Sequence, residues 1–266
     1  MGAINVSPES FYAGSVREQA SELLETATLM VEAGAALIDI GARSTAPYLT
    51  GDITAREEIE RLTAAVSVVA TKLRVPVSAD TTRASVARAA LDAGATVVND
   101  ISGLRDPDMP GLVTDRGVSV VLMASPLPAA APPPPVDPVA VTGDLLAAAL
   151  ERAHAAGIAD DRIVLDPGIG FFREAGLPWH EWDVAVLAGL DALTALGRPL
   201  CVGVSRKSFI GHLTGRRDPA ERLAGSLAAA AAAVLAGAAM IRAHDVADTV
   251  DAVRIAERLR AARGRR

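Results

Sequence analysis

The sequence predicts an α/β protein, a single (β/α)8 barrel domain over residues 1–266. Three observations carry that prediction. Short runs rich in Val and Ile alternate with longer helical patterns along the whole chain. The short runs are continuously apolar instead of alternating, as strands covered on both faces are. Eight of them fit in 266 residues, which matches one barrel of eight β/α units. A doubly wound open sheet shares this grammar and stands as the second reading, because strand count alone does not prove closure.

In order, the first strand covers residues 2–6, and a helix over 17–32 ends in Glu32-Ala-Gly-Ala. Gly at such a point is a helix stop ahead of a short turn, here into strand 36–41. A helix over 55–72 leads to strand 75–80. The next helix, 84–93, ends with Asp92-Ala-Gly-Ala before strand 96–99. Strand 118–123 follows. Residues 125–138, with Pro132-Pro-Pro-Pro135, then break the rhythm and read as a stiff exposed loop or linker. The rhythm resumes with helix 139–156, strand 163–166, helix 184–195 and strand 200–204, which makes a domain boundary there the weaker reading. Helix 219–235 carries the third stop, Leu235-Ala-Gly-Ala, before strand 239–242, and helix 247–262 closes the pattern. Residues 223–241 contain no charge, but they are mostly Ala, with Gly225, Ser226 and Gly237 among them. A membrane span needs about 20 strongly apolar residues, so a buried Ala-rich helix and a short strand fit better.

Composition narrows the function classes. One cysteine, Cys201, excludes a disulfide framework and Cys-rich zinc or iron–sulfur sites. Four histidines (His154, His180, His212 and His244) lie far apart without metalloprotease spacing. The net charge of −6 argues against nucleic acid or an anionic membrane as the main partner, while leaving room for a local basic cluster. Charged residues at 22% exclude global disorder, and 3% aromatics leave the core to Ala, Val, Leu and Ile. The opening Met1-Gly-Ala-Ile-Asn has neither a basic n-region nor an apolar h-region, so a cytoplasmic protein is expected.

In both sheet architectures ligands sit outside the carboxyl ends of the strands. Those positions are polar here: Asn5, Arg43-Ser-Thr45, Asp80, Asn99-Asp100, Asp166, Ser205-Arg-Lys-Ser208, and Arg242 with His244. One polar residue at a strand end is usually a cap or turn former. Seven of eight strands ending this way predict a site. Asp80, Asn99 and Asp166 offer carboxylates and an amide suited to a ring with N–H donors and acceptors, such as a pterin or guanine edge. Arg206, Lys207, Arg242 and His244 form a cationic group after strands 7 and 8, where barrels commonly bind phosphate. The glycines in Asp166-Pro-Gly-Ile-Gly-Phe171 either keep the backbone low near a ligand or simply form a turn.

These residues resemble the dihydropteroate synthase family over nearly the whole chain. The resemblance rests on Met1-Gly-Ala-Ile-Asn-Val-Ser-Pro-Glu-Ser-Phe11, Asp39-Ile-Gly-Ala-Arg-Ser-Thr45, Asp80-Thr, Val98-Asn-Asp100, Asp166-Pro-Gly-Ile-Gly-Phe171, Gly203-Val-Ser-Arg-Lys-Ser208 and Arg242-Ala-His-Asp-Val246, in the family's order. The resemblance implies a barrel that condenses 6-hydroxymethyl-dihydropterin pyrophosphate with an arylamine and releases pyrophosphate. It implies that Asp80, Asn99, Asp166, Phe171, Gly203 and Lys207 hold the pterin. Asn5, Arg43, Thr45, Ser208, Arg242 and His244 would serve the pyrophosphate and arylamine, and Asn5 would bind Mg2+. Lys207, Arg242 and His244 are the catalytic candidates. A Schiff-base role for Lys207 is the competing reading. A homodimer is the expected assembly.

The chain departs from the family's usual pattern at Ala13, Ala46 and Ala124, and Phe172-Arg173 follows the Gly-Phe. The spellings Ser-Pro-Glu-Ser-Phe-Tyr and Ser-Thr-Ala-Pro-Tyr look like the archaeal-type, methanopterin-like branch. The amine is therefore either p-aminobenzoate or a phosphoribosyl-linked aminobenzene, the latter using Arg43 or Arg173. A non-catalytic pterin-binding paralogue and a pterin-dependent methyltransferase domain are the alternatives from other classes.

Overall fold

The structure is a computed structural model that describes residues 1–6, 16–43, 53–125, 137–173 and 177–263. The chain forms two compact units, Met1–Leu122 with Arg152–Ile163, and Met123–Glu151 with Val164–Arg266.

The first unit is built on parallel strands paired in chain order: β1 (Gly2–Asn5), β2 (Ile38–Gly41), β3 (Val77–Asp80), β4 (Val97–Asp100) and β5 (Ser119–Met123). Every residue of β2 and β3 is buried, Asp39, Ser78 and Asp80 included, so these strands are covered on both faces. Helices α1 (Val16–Glu32), α2 (Ala55–Lys72), α3 (Ala84–Asp92) and α4 (Met109–Arg116) connect them. A capping box starts α2: Thr54 accepts from the Glu57 N–H, and Glu57 accepts from the Thr54 N–H. Leu62, Ala65, Val66 and Val69 form its buried stripe. The sequence reading has no helix between strands 4 and 5, yet α4 is there. Pro110 and Gly111 in its first turn mask the pattern, although Pro is well tolerated at that point in a helix.

The second unit takes in most of β6 (Ile163–Asp166), with β7 (Cys201–Gly203) and β8 (Met240–Arg242). A parallel bridge joins Leu165 to Leu200, and β7 pairs in parallel with β8. Helix α5 (Pro138–Ala155) precedes β6; after it come α6 (Trp179–Ala188), α7 (Leu190–Leu193), α8 (Ser208–Thr214), α9 (Leu223–Leu235) and α10 (Val246–Arg263). The helix expected over 184–195 starts earlier and breaks at Gly189, where a Cβ would lie 2.7 Å from Val139 Cγ2. The one expected over 219–235 opens as a separate 3-10 turn, Pro219–Arg222, whose Ala220 N–H is held by Asp218. Helix α8 is absent from the sequence reading, and the observed strands are mostly one or two residues shorter than the apolar runs.

The Ala-Gly-Ala stops behave as expected. At Gly34, Gly94 and Gly237 φ lies between 106° and 113°, and the same three backbone hydrogen bonds recur around each. The alanine after each glycine donates five residues back (Ala35 to Met30, Ala95 to Ala90, Ala238 to Ala233), which closes the Schellman arrangement. Among the described residues no helix is long and apolar enough to cross a membrane. Ala-rich α9 instead packs against α10, where Arg260 caps the carbonyl of Val234 at 2.9 Å. Residues 126–136 of the proline-rich segment lie outside the described residues, as do Thr45, Ala13 and Ala46.

Candidate active site

In the first unit the sheet register sets the polar residues in one row. Asn5 stands opposite Gly41, Gly41 opposite Asp80, and Asp80 opposite Asn99. Neighbouring strands are about 4.8 Å apart, so Asp80 and Asn99 are spaced to grip adjacent atoms of one heterocycle edge. Both are buried, and Gly41 between Asn5 and Asp80 contributes no side chain that would fill the row. Asp39, fully buried within β2, accepts a hydrogen bond from Asn99 Nδ2 at 3.1 Å. That bond fixes the amide and leaves its Oδ1 and second N–H for a ligand. Asp100, next to Asn99 at the strand end, turns away instead. It accepts from the Ser102 N–H and hydroxyl and from the Leu104 N–H at 2.6–2.8 Å, and burial raises its pKa. Its role is to close the turn after β4.

The loop after β3 is braced by residues that sequence reading passed over. Glu58 of α2, buried, accepts from Thr81 Oγ1 at 2.6 Å and from Arg83 Nη1 at 2.8 Å. The signal was legible: Glu58 sits four residues before Leu62 on the buried stripe of α2, where an acid needs a partner. Arg43, half-buried after β2, donates to Thr82 Oγ1 at 3.3 Å in the same loop.

In the second unit, Asp166 ends β6 and accepts from the Gly168 N–H at 2.8 Å, while its carbonyl receives the Ala124 N–H. Gly168 has φ 71°, and a Cβ there would lie 2.4 Å from the Ala124 carbonyl oxygen, so no other residue fits. Gly170 lies against the Lys207 side chain: a Cβ would be 3.1 Å from Lys207 Cδ. Lys207 Nζ sits 4.7 Å from the centre of the Phe171 ring, a cation–π contact. Desolvation pulls its pKa down to about 8; Arg242 and Arg173 act in the same direction, against Asp166 and Asp183. At neutral pH the amine is still mostly an ammonium, which suits contact with ligand acceptors better than Schiff-base chemistry. Ser208 follows at the start of α8 and accepts from Arg173 Nη2 at 2.7 Å, while the Arg173 guanidinium stacks 4.4 Å over Trp179.

Gly203 and Arg242 are register partners at the ends of β7 and β8. Two members of the expected cationic group change role. Arg206, at φ 55°, is clamped by Asp245 through two bonds of 2.8 and 2.6 Å, and its N–H is held by Ser226. It ties the loop after β7 to the loop after β8. His244 has Nδ1 3.0 Å from Ser205 Oγ, and desolvation together with Arg242 lowers its pKa to about 4. It carries no charge at pH 7. The reason is context: desolvation is the largest cause, and Arg242, Arg206 and Lys207 add to it against the opposing charge of Asp245.

Asp183 of α6 is the other residue missed from sequence. It is buried, accepts the Gly170 N–H on Oδ1 at 2.7 Å, and its Oδ2 is buried without a hydrogen-bond partner. Burial pushes its pKa up to about 6, opposed by that hydrogen bond and by Lys207 and Arg173. An acid in an apolar stretch, Trp-Asp-Val-Ala-Val-Leu, was the available signal.

A profile of the family described as pterin binding enzyme matches residues 1–244. Dihydropteroate synthase of Escherichia coli (strain K12) is 36% identical over 260 residues, 97% of this chain and 90% of that protein. The synthase of Mycobacterium leprae (strain TN) is 40% identical over 268 residues, covering 96% and 91%. Among solved structures, Clostridium difficile dihydropteroate synthase in the presence of pteroic acid superposes with a TM-score of 0.89 at 32% identity, over 97% of this chain and 95% of that one. Xanthomonas albilineans dihydropteroate synthase with 4-aminobenzoic acid gives 0.88 at 38%, over 98% and 92%. The fold class is that of these synthases, the (β/α)8 barrel expected from the alternation of strands and helices. By family profile, by sequence and by fold, this chain belongs to the dihydropteroate synthase family of pterin-binding enzymes.

Proposed function

We propose that the chain is a transferase that condenses 6-hydroxymethyl-7,8-dihydropterin pyrophosphate with p-aminobenzoate and releases pyrophosphate. The observation that carries this reading is 38% identity, over 98% of the chain, to a dihydropteroate synthase solved with 4-aminobenzoic acid. Another structure of that synthase contains 7,8-dihydropteroate, at 36% identity.

The reaction breaks the pterin methylene C–O bond, whose electron pair leaves with pyrophosphate. The arylamine nitrogen then bonds to the methylene carbon and loses a proton to water. In this reading Asp80, Asn99 and Asp166 take the polar edge of the pterin, and Phe171 and Gly203 flank it. Lys207 supplies an ammonium to the ring's acceptors, and no covalent enzyme intermediate is required. The carboxylates also favour the positive charge that builds on the pterin as the C–O bond opens. Arg242 takes the leaving pyrophosphate as a fixed cation, and His244 as a neutral N–H donor; Arg43 and Thr45 are assigned to the pyrophosphate and arylamine by the family resemblance alone. Ser208, held by Arg173, meets the arylamine.

Asn5 offers one amide oxygen at the end of β1, and among the described residues no group of three His, Cys, Asp or Glu could hold a metal. That donor set does not suit a protein-built cage. It does suit Mg2+ carried by pyrophosphate oxygens and water with Asn5 as a single protein ligand. Bound there, the ion would neutralise charge on the leaving group.

Pyrophosphate release with the dihydropterin pyrophosphate and either amine tests the reaction. Turnover with p-aminobenzoate is expected. Release only with the phosphoribosyl amine would reassign the amine, and pterin binding without release would make the chain a non-catalytic paralogue. The proposal extends to a cytoplasmic homodimer, the assembly expected from the resemblance; a monomer by light scattering would reject that part.

A further inference from the structure

Beside Gly170 lies a charged group that the reading above does not use. Asp183 projects from α6, next to Trp182, which is fully buried and stacks on Phe172 with ring centres 4.7 Å apart. This packing holds α6 against the segment after β6. From there Asp183 Oδ1 accepts the Gly170 N–H at 2.7 Å, in the middle of Gly168–Phe171, where the Phe171 N–H also closes on the Gly168 carbonyl at 3.1 Å. The two neighbours this turn sets are Phe171, whose ring faces Lys207 Nζ, and Gly170, whose missing Cβ leaves room for the Lys207 stem.

A neutral acceptor would serve the Gly170 N–H as well as a carboxylate does. What a carboxylate adds is charge, and its second oxygen is buried with no hydrogen bond to offset desolvation. Among the described residues the charged groups acting on it are Lys207 from the loop after β7 and Arg173 from the loop after β6. Lys207 in turn feels Asp166, Arg242, Asp183 and Arg173. Two cations push the proton off Lys207, and among the described residues Asp166 is the other anion acting against them.

Resting on the pterin-condensing reading above, we propose that Asp183 is a positioning residue: one oxygen fixes the Gly168–Phe171 turn against Lys207, and its negative charge keeps Lys207 an ammonium. The substitution that separates these two parts is Asp183→Asn, which can keep the acceptor and removes the charge.

Only two lysines, Lys72 and Lys207, occur in the sequence. Lysine labelled with 13C at Cε therefore gives two NMR signals, with exposed Lys72 as the internal reference. In Asp183→Asn the Lys207 midpoint is expected to fall by about half a pH unit or more, as loss of a nearby counter-charge in a desolvated place requires. Lys72 should not move. The alkaline limb of kcat/KM should shift down with Lys207, with kcat/KM near pH 6 retained. An unchanged Lys207 midpoint overturns the proposal. So does a variant that fails to fold, because a charge needed for folding would be structural. The NMR titration needs no turnover, so it reads the Asp183–Lys207 coupling even if the wild-type protein fails the condensation assay. That failure would count against the reaction alone.

Discussion

Lys207 carries its charge in a desolvated place, and the four charged groups around it decide how long it keeps its proton as pH rises. Asp166 and Asp183 hold the proton on; Arg242 and Arg173 push it off. Activity that depends on the ammonium should therefore fall as pH rises through about 8, well below the ordinary lysine value of 10.5. Lys207→Met should lower kcat/KM by about a hundredfold, the cost of one charge-assisted contact of roughly 2–3 kcal/mol. A loss under threefold would remove Lys207 from the site. His244 tests the same field from the other side. Its ring proton should titrate near 4 by NMR, and a midpoint close to 6.5 would show that Arg242 and burial do not act on it. Neither value could be read from the sequence, where both residues are simply basic. The shifts arise from neighbours that the fold brings within reach.

At the scale of elements, the strand ends and the turns that follow them do the positioning. The β1–β4 register places Asn5, Asp80 and Asn99 in a row with Gly41, and the positions of those residues at strand ends were legible from sequence. The bracing was not: Asp39 holding Asn99, and Glu58 holding Thr81 and Arg83, join segments far apart in the chain. Glu58→Ala removes the acceptor of the Thr81 hydroxyl and the carboxylate partner of Arg83, which keeps only the Ile53 carbonyl, and should cost about 1–3 kcal/mol with reduced pterin affinity. Denaturant titration and pterin binding measured together check it; an unchanged midpoint would show the brace to be dispensable. Two glycines make a further pair. Gly168→Ala, forced to φ 71° against the Ala124 carbonyl oxygen, should destabilise by about 1–3 kcal/mol and damage turnover. Gly111→Ala, within α4 with nothing within 4 Å, should stabilise by about 0.5–1 kcal/mol. Equal melting temperatures for the two variants would contradict this reading of the turn after β6.

For the whole molecule, the buried charges of Asp183 and Lys207 oppose stability, as functional groups commonly do. Asp183 binds its proton more tightly folded than unfolded, since its pKa rises from 3.8 to about 6. Stability is therefore lost as pH rises from about 4 through 6, and at pH 7 the ionised group costs on the order of 2–3 kcal/mol. Lys207 has the opposite sign: its folded pKa lies below the unfolded value, so its cost is present at pH 7 and is relieved between about 8 and 10.5. Asp183→Asn should accordingly melt higher than the wild-type protein at pH 7.5, with the gap closing by pH 4. A variant melting lower across that range would mean that the carboxylate stabilises the fold. The net charge of −6 says nothing of this, because it averages over groups whose surroundings differ.

The sequence by itself determined the β/α alternation, the Ala-Gly-Ala stops and the polar strand ends, because each is written in local pattern: apolar runs, a glycine after a helix, a polar residue after a strand. It also carried the family, through motifs that lie in short contiguous segments. Tertiary structure alone decided which polar groups are paired and which are charged. Arg206 and Arg242 are alike in sequence, yet Asp245 clamps the first. Asp100 and Asn99 are adjacent, yet one closes a turn while the other is held by Asp39 in the row with Asp80. Asp183 and Gly170 are thirteen residues apart, with Trp182 packed on Phe172 between them. Desolvation and partner choice depend on distances between segments, and those distances do not exist until the chain is folded.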